Sequence, residues 1–359
     1  MLSRADFEAR DAADPLASYR QRFALPENVT YLDGNSLGPL PRHVPDVVAA
    51  VVQREWGIDL IRSWNDNGWW EMTQRVGERI ARLIGAPTGS VVAGDTTTVA
   101  LYKAVSAARR LRPDRHVIFT DSGNFPTDLY VLSSVAEATG AALVTVPPEE
   151  VADRIGPDVA VLALTHVDYR TGRRHDMEAL TTAAHAHGAL VVWDLCHSAG
   201  AMPLDVANAD LAVGCGYKYL NGGPGAPAFL YVHPDHQNAF VNPISGWWGH
   251  ADPFAMEPHF RPAPGVRRVQ VGTQPIIALA ALEAALDAFD GVDMAALRNK
   301  SELLVSGFIQ LADERLGGFE VVTPRRAEDR GSHVTLAHEE ATVVMAALVE
   351  RGVIGDVRP

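Results

Sequence analysis

Gly214-Cys215-Gly216-Tyr217-Lys218-Tyr219-Leu220-Asn221-Gly222-Gly223-Pro224-Gly225 sets a lysine between two tyrosines, after the apolar run Leu211 to Val213 and before a glycine-rich turn. Glycines there let the backbone come close to another group. Two readings fit the stretch by itself. Lys218 is either a surface lysine at a strand end whose aliphatic stem covers apolar surface, or a Schiff-base lysine, which needs a partly desolvated amine beside close-packed backbone. The rest of the chain has to separate them.

Working upstream, Leu190-Val191-Val192-Trp193-Asp194 is an apolar run that ends on an aspartate, and Leu195-Cys196-His197-Ser198 continues it. In open α/β sheets ligands bind at the carboxyl ends of the strands, and a buried aspartate there requires a cationic or hydrogen-bonding partner. Earlier, Ser90-Val91-Val92-Ala93 is a strand candidate. Gly94-Asp95-Thr96-Thr97-Thr98 and a helix from about Val99 to Leu111 follow it. Such a turn is either an anion site, built from unpaired N–H groups and the helix dipole, or an ordinary threonine N-cap. Strand candidates also cover His116–Thr120, Ala142–Val146, Val159–Thr165 and Asp210–Gly214, alternating with helical patterns. This predicts an α/β fold with a mostly parallel sheet. The Phe125-Pro126-Thr127-Asp128 segment follows the strand candidate His116–Thr120.

Composition narrows the class. The chain has 359 residues, 47% hydrophobic and 21% charged, as expected of a globular protein of about two domains. A net charge of -13 argues against a duplex nucleic-acid binder and against an anionic-membrane binder. Cys196 and Cys215 give neither a disulfide framework nor a zinc pattern, and both read as small core residues. No signal core or membrane-length apolar run is visible, so a reducing cytoplasm is the expected setting. His185, His187, His233 and His236 are expected in surface or capping roles, with no metal site, and His250 and His259 stay unassigned. The aromatic loop Trp64-Asn65-Asp66-Asn67-Gly68-Trp69-Trp70 reads as packing more than binding.

A lysine, an aspartate and an imidazole from strand ends of one sheet, with an aromatic face and an anion cup, are the set pyridoxal phosphate requires: an amine, an acid at the pyridine nitrogen, a stacking ring and a phosphate site. Asp194-x-x-His197 followed by Lys218 resembles the aspartate-aminotransferase fold (fold type I) of pyridoxal enzymes. Four finer motifs are similar to the kynureninase family, bacterial type. They are Tyr31-Leu32-Asp33-Gly34-Asn35-Ser36-Leu37-Gly38, Phe125-Pro126-Thr127-Asp128, Tyr217-Lys218-Tyr219-Leu220-Asn221-Gly222-Gly223-Pro224-Gly225 and Gly246-Trp247-Trp248-Gly249-His250.

The resemblance implies a large cofactor-binding domain over 45–260 with a mostly parallel seven-stranded sheet. A smaller α+β domain would come from 1–44 and 261–359. It implies pyridoxal 5'-phosphate held by Lys218, Asp194, Thr97, Thr98, Tyr217, Phe125, Asp128, Thr165 and His197. Trp247 and Thr273 would reach the phosphate in a neighbouring subunit, making a homodimer with shared sites. Catalytic roles fall to Lys218, Asp194 and Tyr217, and substrate contacts to Asn35, Ser36, Trp64 and Thr273. The implied reaction is hydrolysis of the Cβ–Cγ bond of L-kynurenine to anthranilate and L-alanine, in tryptophan catabolism by the kynurenine pathway and NAD biosynthesis. Trp64 and Thr273, where 3-hydroxykynurenine-preferring animal enzymes carry histidine and asparagine, imply a preference for L-kynurenine. The family continues beyond Asp356-Val357-Arg358-Pro359 into a strand with an arginine for the substrate carboxylate, whose loss typically costs about 2–5 kcal/mol. A cysteine desulfurase, a β-decarboxylase or aminotransferase, and a pyridoxal-binding protein without turnover are the competing readings.

Overall fold

The computed structural model describes residues 3–358. Its strands in chain order are β1 (Thr30–Tyr31), β2 (Val91–Ala93), β3 (Val117–Asp121), β4 (Ala142–Val146), β5 (Val159–Thr165), β6 (Leu190–Asp194), β7 (Leu211–Gly214), β8 (Phe229–Val232), β9 (Glu320–Val321), β10 (Leu336–Ala337) and β11 (Val353–Ile354). Strands β2 to β8 form a seven-stranded sheet in the order β2-β8-β7-β6-β5-β3-β4, and β8 alone runs antiparallel to its neighbours. All of β5 and β6 is buried. Near-continuous apolar runs are what strands covered on both faces require.

The two covers follow from the two-residue side-chain period. Val191 and Trp193 of β6 share a buried cluster with Leu180 and Ala184 of the helix Met177–Ala186, whose Thr181 hydroxyl accepts the Trp193 indole N–H at 3.1 Å. Leu190 and Val192 face the other way, onto Leu101, Ala104 and Ala108 of the helix Thr97–Leu111. Register then aligns the functional edge, because Thr165 pairs with Asp194 and Asp194 with Val213. The carboxyl ends of β5, β6 and β7 therefore stand side by side, and the chain leaving β7 reaches Lys218 within one short turn.

Segments far apart in the chain also pair outside this sheet. Strand β1 pairs in parallel with β11, Thr30 opposite Val353, and β9 pairs with β10 antiparallel. Six sheet strands were readable as apolar runs. The seventh, Phe229–Val232, lies between Pro227 and Pro234 and was not identified from the residues. Arg268–Val271, whose alternation reads as a strand from the residues alone, is not one: Gly265–Val269 forms a 3₁₀ turn instead. Val266 and Val269, three apart, point inward, while Arg267 and Arg268 donate to the carbonyls of His250 and Ala263 at 2.7 and 2.9 Å. Alternating apolar and basic residues here satisfy a three-residue period, not a two-residue one.

Candidate active site

Lys218 is half-buried and its Nζ lies 3.0 Å from His197 Nε2. Burial first, and then the Lys218 charge, hold the imidazole well below its usual range. His197 is thus neutral and accepts from the lysine. Its Nδ1 is buried without a partner, and the Asn35 backbone lies beside the ring. Lys218 Nζ also sits 5.9 Å from the centre of the Phe125 ring and 5.8 Å from that of Tyr217. Burial, followed by the nearby Cys215, Cys196 and Asp194 groups, pushes the Tyr217 phenol up, so it stays protonated at neutral pH.

Asp194 is buried, and its Oδ1 accepts the Cys196 N–H at 2.7 Å. Its Oδ2 meets the Thr165 hydroxyl at 3.5 Å, and the Asp128 carboxyl hydrogen-bonds to the same carboxylate. The Asp128 carboxyl shares this pocket and also meets Thr165, at 3.3 Å. Burial and then the Asp194 charge raise Asp128 well above the usual carboxylate range, as expected for two acids that cannot both ionise at short range. Asp194 is therefore the ionised member of a buried carboxyl pair. Among the described residues no basic side chain is paired with it.

The anion cup is formed at the start of the helix Thr97–Leu111. Thr96 is the N-cap and its hydroxyl accepts the Val99 N–H at 3.4 Å. The Thr97 and Thr98 N–H groups have no partner among the described residues. A cap and an anion site therefore coexist here, since capping uses only one of the free donors. Thr97 Oγ1 stands 3.9 Å from Cys196 Sγ, which ties the cup to the turn after β6.

The loop 33–38 closes the near side. Gly38 N–H donates to the Tyr217 carbonyl at 2.8 Å, and a Cβ at Gly38 would collide with the Lys218 carbonyl and the Asn221 side chain. Only glycine permits that approach. Asn35 and Ser36 are thereby carried to the rim, where Ser36 Oγ meets Arg358 at 3.3 Å.

Other expected site residues stand apart from this group within the chain. Trp247 packs against Trp70 and Phe254 and donates its indole N–H to the Pro253 carbonyl at 2.5 Å. Thr273 is exposed, on the turn before the helix Ile276–Ala285. Trp64 lies in an aromatic cluster, edge-on to Trp69 at 5.4 Å and tilted on Trp248 at 5.2 Å. Packing is thus what the structure shows of that loop.

Some neighbours had no legible signal. Asn124 bridges three elements: Oδ1 receives the Thr165 hydroxyl and the Phe125 N–H, and Nδ2 donates to Thr120 Oγ1 at 3.2 Å. His333 comes from the distant β9–β10 region to 5.7 Å from His197, and burial holds it neutral, down to about 4. His185 and His236 are more than capping residues: both bind the buried Asp210, at 2.8 and 2.7 Å, and His233 caps the short helix Pro234–Gln237. Cys196 and Cys215 are buried free thiols. The Cys215 contact and burial push Cys196 well up, which leaves no ready thiolate.

The chain matches the family described as aminotransferase class-V over residues 31–354. It is 51% identical to "Kynureninase" of Pseudomonas fluorescens over 369 aligned positions, covering 100% of this chain and 89% of that one. It is 50% identical to "Kynureninase" of Deinococcus radiodurans, covering 99% and 89%. Among solved structures it resembles the apo cysteine desulfurase of Thermococcus onnurineus, with TM-score 0.78 at 20% identity over 94% of this chain and 86% of that one. A mutant C-DES with glycine covalently linked to its PLP cofactor gives TM-score 0.80 at 19% identity over 93% and 90%. At such identities the solved structures speak to the fold alone.

Proposed function

The chain belongs to the kynureninase family, and from that membership we propose the following division of labour around Lys218. The reaction is hydrolysis of the Cβ–Cγ bond of L-kynurenine to anthranilate and L-alanine, a step of tryptophan catabolism, with pyridoxal 5'-phosphate as cofactor. The cofactor supplies the electron sink for the pair released at the substrate Cα. The pocket suits it: a buried carboxylate at the end of β6, a neutral buried imidazole against the lysine, and two helix N–H groups without a partner among the described residues are the groups the cofactor needs.

Asp194 would pair with the ring nitrogen, Thr97, Thr98 and Tyr217 would hold the phosphate, and Phe125 would stack on the ring, with Asp128, Thr165 and His197 around it. Lys218 is the base that takes the Cα proton, its amine oriented by the neutral His197 acceptor. Water attacks the aryl ketone. Tyr217, kept protonated by burial, is the acid for the later transfers. Asn35, Ser36, Trp64 and Thr273 are assigned to substrate. Supporting a large domain at 45–260 and a small one from 1–44 and 261–359 is the β1–β11 pairing of the two chain ends. Among the described residues no helix is long and apolar enough to cross a membrane, and two free thiols favour a reducing, cytoplasmic setting.

The observation that carries this reading is the 3.0 Å contact of Lys218 with His197 next to the buried end of β6. Adding L-kynurenine to the holoenzyme is expected to release fluorescent anthranilate, and a yellow protein that releases none overturns the assignment. Trp64 offers a phenol no hydrogen-bond acceptor or donor within its ring face, and an unpaired hydroxyl costs about 1–3 kcal/mol. Catalytic efficiency on 3-hydroxykynurenine is therefore expected to be lower by roughly tenfold, and Trp64→His should narrow the gap. Equal efficiencies in the unmodified protein would refute the preference.

A homodimer with shared sites is part of the same proposal. Trp56, Ile58, Leu60 and Ile61 are exposed along one short segment, with Ile61 76% accessible, and continuous apolar surface of this kind suits a subunit interface. Trp247 and Thr273 have no contact with the Lys218 group of their own chain in the interactions above. Mixing Lys218→Ala protein with a Trp247→Ala, Thr273→Ala double variant, each poorly active alone, is expected to restore activity by creating hybrids with one intact site. No recovery under conditions of proven subunit exchange would place both residues outside the partner's site.

A further inference from the structure

Lys103 sits inside the helix Thr97–Leu111, only 2% exposed, and takes no part in the roles assigned above. Its Nζ lies 2.5 Å from Asp95 Oδ2 and 2.7 Å from the Val269 carbonyl. Burial pulls its pKa down, opposed by the Asp95 charge. Asp95 occupies the turn of the anion cup in a left-handed conformation, φ 57°, a region open to aspartate but uncommon outside glycine. The turn is held from two sides. Asp95 N–H donates to Gln274 Oε1 at 3.3 Å, and its carbonyl accepts the Ala228 N–H at 3.1 Å.

A carboxylate in this position is a problem for a cup that receives a phosphate. Two like charges within one turn repel strongly where water is scarce, and the helix N–H groups that favour an anion would favour this carboxylate first. The pairing removes both effects. With its ammonium against Oδ2, Lys103 ties the carboxylate to the helix Thr97–Leu111, and through Val269 it fixes the turn to the segment that continues to Gln270, Thr273 and Gln274.

We propose that Lys103 is a positioning residue for cofactor phosphate: paired with Asp95, it cancels a repulsive carboxylate at the Gly94–Thr98 turn and anchors that turn to residues 269–274. This rests on the reading that the phosphate binds at Gly94–Thr98. The pair is a buried ion pair, so removing one partner strands the other, whereas removing both need cost little. That asymmetry makes the inference testable.

Holoenzyme is stripped of cofactor and titrated with pyridoxal 5'-phosphate and, separately, with pyridoxal, following the visible absorption band. Lys103→Met is expected to weaken pyridoxal 5'-phosphate binding by about 10- to 100-fold, while changing pyridoxal binding by no more than about twofold, because only the phosphate meets the stranded carboxylate. Asp95→Asn combined with Lys103→Met should recover most of the loss, since asparagine tolerates the left-handed turn and carries no charge. Lys103→Gln is the second variant should Lys103→Met fail to fold, and is expected to show the same phosphate-specific loss. Equal losses for both ligands, or no recovery in the double variant, overturn the proposal, as does unchanged binding of pyridoxal 5'-phosphate in Lys103→Met or Lys103→Gln. If the unmodified protein itself binds the two ligands equally, the placement of the phosphate fails instead.

Discussion

Lys218→Ala is expected to lower turnover of L-kynurenine by roughly 10⁴-fold or more, since positioned general bases alone contribute about 10²- to 10⁴-fold and this one also anchors the cofactor. Its fold should survive. The backbone of the segment is held by Gly38 N–H to the Tyr217 carbonyl and by Asn221 N–H to the Lys218 carbonyl at 3.0 Å, bonds that truncation does not touch. What is lost is the one donor to His197 Nε2, and a stranded buried acceptor costs about 1–3 kcal/mol, within reach of a stable fold. Borohydride should fix the cofactor onto the unmodified chain and not onto the variant. Unchanged circular dichroism with residual activity above about one per cent would mean that another group serves as base.

Asp194→Asn carries the second largest expected effect. The amide oxygen can still accept the Cys196 N–H, so the local turn is preserved, but the charge that would hold a proton on the cofactor's ring nitrogen is gone. Breaking a buried pair of this kind costs about 3–5 kcal/mol, which corresponds to roughly 10²- to 10⁴-fold in kcat. Asp128→Asn is the informative comparison. Asp128 is the carboxyl raised by burial and by Asp194, hence the protonated member of the pair, and its amide is expected to cost far less. Similar losses in both variants, measured by anthranilate release at saturating cofactor, would show that the two acids act as a unit.

Much of the fold and the core of this site could be read from residue order, for a physical reason. Strands covered on both faces must be apolar throughout, so β5 and β6 stand out, and a charged residue at the end of such a run, Asp194, cannot be accidental surface. Lys218 was ambiguous on its own and became interpretable through register, which places Thr165, Asp194 and Val213 abreast. Other features depend on contacts between distant segments and leave no local pattern. Phe229–Val232 is a short run bracketed by prolines, and Arg268–Val271 alternates like a strand although its arginines are consumed by loop carbonyls. Lys103 carried no signal at all: a lone lysine on a helix reads as solvated, and only Asp95 across the first turn and the Val269 carbonyl explain its burial. Asn124 and His333 likewise take their meaning from partners far along the chain.

The parallel pairing of Thr30–Tyr31 with Val353–Ile354 has a consequence for biosynthesis. During translation β1, which leads into the loop that rests against Lys218, has no pairing partner until residues 353–354 have left the ribosome. Contacts of such long range form late. The sheet with its lysine is thus expected to assemble with the pocket still open on that side, giving a nascent chain access to cofactor before β11 pairs with β1.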